Sequence, residues 1–256
     1  RGKDGSGNIR ISTGVVASES TGDITLRGSK SHSGEGGGIH VLSGSSMMTG
    51  GNVNLRSGSS LHATSGNVVF MTEAGKNSGR ISFETGNSRS TSGLISLSTG
   101  ASLKGRAGGV TIGSGRNYGG GGDIVFAAGN NEVSTGGFIH FLTGSSDLSS
   151  SGSIKMETDT GNLGSGSIDL RTGAGAAGTT GLVSIGTGDS TSAAGNINFQ
   201  VGAGISRSGN VLLSAGNSET ATGGKVYMSS GKSDENFSGA VNMLTETGYV
   251  GSGAIL

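Results

Sequence analysis

Along this chain an Ile or Val is followed two residues later by a second apolar residue, and the pair returns every 13–15 residues. Its first members are Ile9, Ile24, Ile39, Val53, Val68, Ile81, Ile95, Val110, Ile124, Ile139, Ile154, Ile168, Val183, Ile197, Val211, Val226, Val241 and Ile255. The second members run from Ile11, Leu26 and Val41 through Phe70, Phe83 and Leu97 to Met228 and Met243. A spacing of two places both on one face of an extended backbone, and β-branched residues favour a pleated surface. Each pair therefore predicts one short strand, as in Gly93-Leu94-Ile95-Ser96-Leu97-Ser98-Thr99-Gly100.

Two residues beyond the pair comes a third position on the same face, usually small and often hydroxylated: Thr13, Ser43, Ser57, Thr72, Thr85, Thr99, Thr143, Thr158, Thr172, Thr187, Ser230, Thr245. A glycine follows directly or shortly after, which suits a tight corner. The stretch between pairs is polar and variable, with occasional apolar residues such as Met47, Leu61, Leu103, Val133 and Leu148. These fit either a second, weaker strand or a turn that grazes a core.

A single strong strand every 14–15 residues predicts an all-β fold. The expected architecture is a β-solenoid (β-helix) rod with one repeat per coil. In that expectation residues 1–256 form one repetitive domain, possibly an excerpt of a longer array. Ile95, Leu97 and Thr99 would point inward and Ser96 outward, so that Ile95→Asp or Leu97→Asp would disrupt neighbouring coils. Stacking at ~4.8 Å per coil would give a rod on the order of 80 Å long, or about half that if two repeats make one wider coil.

Composition narrows this picture. Among 256 residues there are 55 Gly and no Pro, Cys or Trp, with 31% apolar and 4% aromatic residues, so any core must be thin. Such poverty is shared with disordered chains, but the regular placement of the pairs argues for an ordered repeat over a flexible Gly/Ser linker. The balance of 17 basic against 17 acidic residues argues against nucleic acid as a partner. Lack of Cys removes disulfides and thiolate metal sites. No apolar run approaches the ~20 residues of a membrane span, and the Arg1-Gly2-Lys3-Asp4 start is not a signal peptide. The pattern is under way by Gly7 and reaches Ile255-Leu256 without a visible cap. Either a longer repetitive chain or terminal strands covered by neighbouring subunits is expected.

Candidate chemistry adds little. Gly173-Ala174-Gly175-Ala176-Ala177-Gly178 matches the dinucleotide fingerprint, but another repeat follows it where a helix is required. Gly231-Lys232-Ser233 resembles the end of a phosphate-binding loop, yet Val226 stands where its first glycine belongs. The glycines 119–122 before Asp123 offer calcium only one carboxylate. His32, His40, His62 and His140 are scattered. His40 and His140 occupy equivalent positions seven repeats apart, too far on a coil to share a metal. Glu84, Glu157, Asp169, Asp189, Glu219 and Asp234 form no recurring pair for acid–base work, and Tyr118, Tyr227 and Tyr249 are too dispersed for a sugar-stacking groove. Asn236-Phe237-Ser238 is a glycosylation sequon that matters only in a secretory context. The expected ice-binding signature, one flat exposed Thr series, is missing from the mixed sequence Arg10, Thr25, His40, Asn54, Val69, Ser82.

The units Gly66-Asn67-Val68-Val69-Phe70 and Gly166-Ser167-Ile168-Asp169-Leu170-Arg171-Thr172-Gly173 resemble the Gly/Ser/Thr-rich solenoid repeats of extracellular fibrous proteins and adhesins, virion fibres and algal surface proteins. That resemblance implies a surface or fibrous role and transfers no functional residue. The expectation is a non-enzymatic structural protein, extracellular or on a cell or virion surface, that self-associates end to end into filaments. The alternative is an adhesin or other module binding a glycan, a surface or ice. No catalytic, cofactor-binding or metal-ligating residue is assigned, and no cofactor is expected.

Overall fold

The computed structural model describes residues 7–17, 20–115, 118–176, 178–249 and 251–255. Arg1-Gly2-Lys3-Asp4, Ala177 of the glycine motif and Leu256 lie outside them. Among the described residues there is no helix and no strand. This overturns the expected β-solenoid: the chain is coil-like, with neither coils stacked by a hydrogen-bond ladder nor a core.

Surface area makes the point quantitatively. The chain of 24.9 kDa exposes 27,086 Å². Size scaling gives about 10,000 Å² for a folded globular chain of this mass and about 36,000 Å² for the extended one. The value lies much nearer the extended limit. No described residue is buried, apolar or polar. A repeat offers two large apolar side chains against the conformational entropy of 14 or 15 residues, several of them glycine. Burying such a pair does not compensate for ordering the whole unit.

The chain groups into two units, Arg1–Ser134 and Thr135–Leu256, each carrying nine of the repeats. In both, one local contact recurs. The residue two positions before each pair is glycine in every repeat, from Gly7 and Gly22 to Gly239 and Gly253. That glycine lies against the small third residue of the preceding repeat. In the N-terminal unit, a Cβ placed on Gly51 would sit 3.3 Å from Ser43 Cβ, and one on Gly93 3.3 Å from Thr85 Cγ2. In the C-terminal unit the distances are 3.2 Å from Gly152 to Thr143 Cβ and 3.1 Å from Gly209 to Val201 Cγ1.

A backbone hydrogen bond closes several of these junctions. In the N-terminal unit Gly37 N–H donates to Ser29 O (2.9 Å), Gly51 to Gly44 O (2.8 Å) and Gly66 to Gly58 O (2.9 Å). Gly152 to Gly144 O (3.0 Å), Gly224 to Gly216 O (2.9 Å) and Gly239 to Gly231 O (3.0 Å) do the same in the C-terminal unit. One bond per junction fastens a loop but does not build a ladder, which is why closely approaching repeats form no sheet.

Exposure follows the same register. The least exposed described residues are Gly28, Ala128, Thr143 and Ala215, all at the third position. First members of the pairs are 47–59% exposed, except Ile9 at 93%. Ile9 is the first of the series, whereas Ile255, the last, is 59% exposed, so within a unit the partial cover comes from the preceding repeat. Second members are more open, and the Phe70 and Phe83 rings of successive repeats meet edge to face at 6.2 Å.

Because Ile95 is half exposed and Leu97 more so, the expected disruption by an aspartate there is corrected. Ile95→Asp and Ser96→Asp should both leave the circular dichroism spectrum unchanged and produce no cooperative melting transition. A cooperative melt in the parent chain that Ile95→Asp abolishes would contradict the coreless description.

Candidate functional site

The loops between pairs are built on one position. Counting the first member of a pair as zero, position +7 is Ser31, Ser46, Ser60, Ser88, Ser102, Asn131, Ser146, Ser190, Ser218 or Ser233 in ten repeats. Its side-chain oxygen accepts a backbone N–H a few residues on, the local bond that lets Ser and Asn compete with regular structure. The bond length in sequence tracks the repeat length. Where repeats are 15 residues long the donor is three residues ahead: Gly34 to Ser31 (2.9 Å), Ala63 to Ser60 (2.9 Å), Gly105 to Ser102 (3.0 Å), Ser149 to Ser146 (3.0 Å). Where they are 14 long it is two ahead: Met48 to Ser46 (3.1 Å), Ser90 to Ser88 (3.2 Å), Ser192 to Ser190 (3.1 Å). Asn131 Oδ1 accepts from both Val133 and Ser134.

Gly75, Gly161, Gly175, Gly204 and Gly248 stand at +7 in five further repeats. There the turn is tighter. A Cβ on Gly175 would lie 2.8 Å from Gly178 O, and Gly161 and Gly204 approach the carbonyls of Gly164 and Arg207 still more closely. Gly164 and Gly251 complete such turns at φ of 151° and 150°, open chiefly to glycine.

These turns thrust the next residues outward. Met47, Leu61, Leu103, Ile205 and Tyr249 at +8, with Val133, Leu148 and Leu163 at +9, are all at least 96% exposed. Neither sequence expectation for the apolar loop residues holds: they form no second strand and graze no core. They are loop tips.

On the face opposite the pairs, residues two apart meet as an extended backbone requires. Lys155 Nζ pairs with Glu157 at 2.6 Å, the Arg171 guanidinium engages both Asp169 oxygens, and the Ser82 hydroxyl donates to Glu84. Solvated pairs of this kind contribute little to stability. They occupy three of the carboxylates considered for chemistry. Asp234 pairs with Lys232 at 2.5 Å, which together with the turn at Ser233 occupies the phosphate-loop look-alike.

The histidines are not brought together. His32 and His62 lie in Ser-turn loops, His40 folds its ring over Gly38, and His140 belongs to the other unit. Among the described residues no group of three or more His, Asp or Glu could hold a metal ion. No helix follows the glycines around Gly173, and Gly175 is engaged in its own turn. Asn236 of the sequon gives its backbone N–H to Ser233 (2.9 Å), beside a fully exposed Phe237. No helix among the described residues is long and apolar enough to cross a membrane.

What the geometry assembles is thus two periodic apolar sets, the half-covered pairs and the uncovered loop tips. Sequence reasoning saw both without the +7 residue that separates them, although its Ser/Asn/Gly pattern is visible at constant distance from each pair. Comparison with known proteins adds no relative: no family, no curated protein and no solved structure matches this chain.

The turn assignment has a direct check. Ser102→Ala should move the Gly105 amide resonance and speed its exchange with solvent while leaving Val110 untouched. An unchanged Gly105 amide would remove the Ser turn from the account.

Proposed function

We propose that this chain is a non-enzymatic structural protein that self-associates into fibrous material at a cell surface or outside the cell. The observation that supports this most is the periodic exposure of its apolar residues: the pairs from Ile9–Ile11 to Val241–Met243 stand open to solvent, and none of the described residues is buried. Soluble monomers rarely display large contiguous apolar surface without an interaction to cover it. Covering one Leu- or Phe-sized side chain contributes about 1.5–3 kcal/mol before the costs of association. A single repeat would therefore bind weakly. Repetition along the chain makes later contacts intramolecular, so the total grows without any strong site. Zero net charge removes the self-repulsion that keeps many open chains apart.

Light scattering and electron microscopy of the purified chain over a wide concentration range test this reading. It predicts growth of elongated assemblies above a threshold concentration, with the threshold falling in sulfate or phosphate salts, which strengthen apolar burial. A monomer at every concentration and salt level would refute it.

A further inference from the structure

We propose that copies of this chain join heterologously, the loop-tip residues of one copy seating against the apolar pairs of the next. The proposal rests on the self-associating reading above and adds which surfaces meet. Three observations carry it.

First, the two sets differ in how their own chain treats them. The pairs are partly covered by the preceding repeat, whereas Met47, Leu61, Leu103, Leu148, Leu163 and Ile205 receive no cover. Their exposure is built in, because they follow the +7 residue whose turn directs them outward. Second, both sets are counted from the same repeat, the pair at 0 and +2 and the tip at +8 or +9. A partner that covers several tips at once must present apolar sites at the 14–15-residue interval that separates Met47 from Leu61 and Leu148 from Leu163, or at about three times it, as between Leu61 and Leu103, and a second copy of this chain does so. Third, the chain is neutral, so copies meet without net repulsion.

Pair-on-pair contact would be self-complementary. It closes as a dimer and leaves the tips in water. Tip-on-pair contact covers both sets and always leaves one set free on each outer copy, so it is open-ended, as growing material requires.

A complementation experiment on the full chain decides this, and because none of the described residues is buried neither variant removes a core contact. One variant replaces tips: Met47→Ser, Leu61→Ser, Leu103→Ser, Leu148→Ser, Leu163→Ser and Ile205→Ser. The other replaces second members: Leu55→Ser, Leu97→Ser, Phe141→Ser, Leu170→Ser, Phe199→Ser and Leu213→Ser. Sedimentation should show the parent chain growing without limit and each variant alone raising the threshold more than about tenfold. An equimolar mixture should form a closed two-chain complex, with the intact tips of one variant on the intact pairs of the other. A tip variant that assembles like the parent overturns the proposal while leaving self-association standing, as does a mixture in which no complex forms. A parent chain that stays monomeric overturns both.

Discussion

The contact on which everything else in this chain depends is the approach of a small third-position residue to the glycine opening the next repeat. At Thr143–Gly152 or Val201–Gly209 a Cβ on the glycine would stand little more than 3 Å from its neighbour. Glycine at that place in every repeat is the sequence signature of this closeness. The contact brings successive repeats together, and a single backbone bond such as Gly51 to Gly44 fastens the junction. Beyond the junction, little holds the repeats to each other. The least exposed residues, Gly28, Ala128, Thr143 and Ala215, are all at this point, and exposure rises steadily through the pair to the loop tip.

Such a chain is ordered by local chemistry alone. Ser, Asn or Gly at +7 sets the turn, and whether the turn spans two or three residues accompanies repeats of 14 or 15. Alternation along the extended segment sorts apolar pairs to one face and ion pairs such as Lys155–Glu157 to the other. None of these contacts withdraws an apolar side chain from water. A polypeptide with this local pattern leaves its polar face and its apolar pairs alike open to solvent.

Much of the local organisation was legible in the amino-acid pattern. The interval and the sharing of one face by Ile95, Leu97 and Thr99 follow from period-two alternation; the inward facing expected of them did not hold, since Ile95 and Leu97 stand open to solvent. The leap from periodicity to a β-solenoid was not licensed. Alternation states which side chains share a face; it is silent on whether backbone N–H and C=O groups of neighbouring repeats find one another. The composition held the opposing signal, since 31% apolar residues with 55 glycines leave each repeat only its pair to offset a large entropy cost. The loop tips were half visible: Met47, Leu61 and Leu103 stood out as apolar residues in polar loops, but their exposure required knowing that the preceding Ser turns the backbone.

Hydrogen–deuterium exchange, read at the backbone amides of the pairs in dilute and in concentrated protein, tests most directly whether the chain lacks a core and acquires cover only from other copies. The account predicts that the amides of residues such as Ile95, Leu97, Ile168 and Leu170 exchange at the rate of an open chain when dilute and become protected as assemblies grow. Strong protection of these amides in dilute monomer would contradict it, because the chain would then bury its apolar pairs unaided.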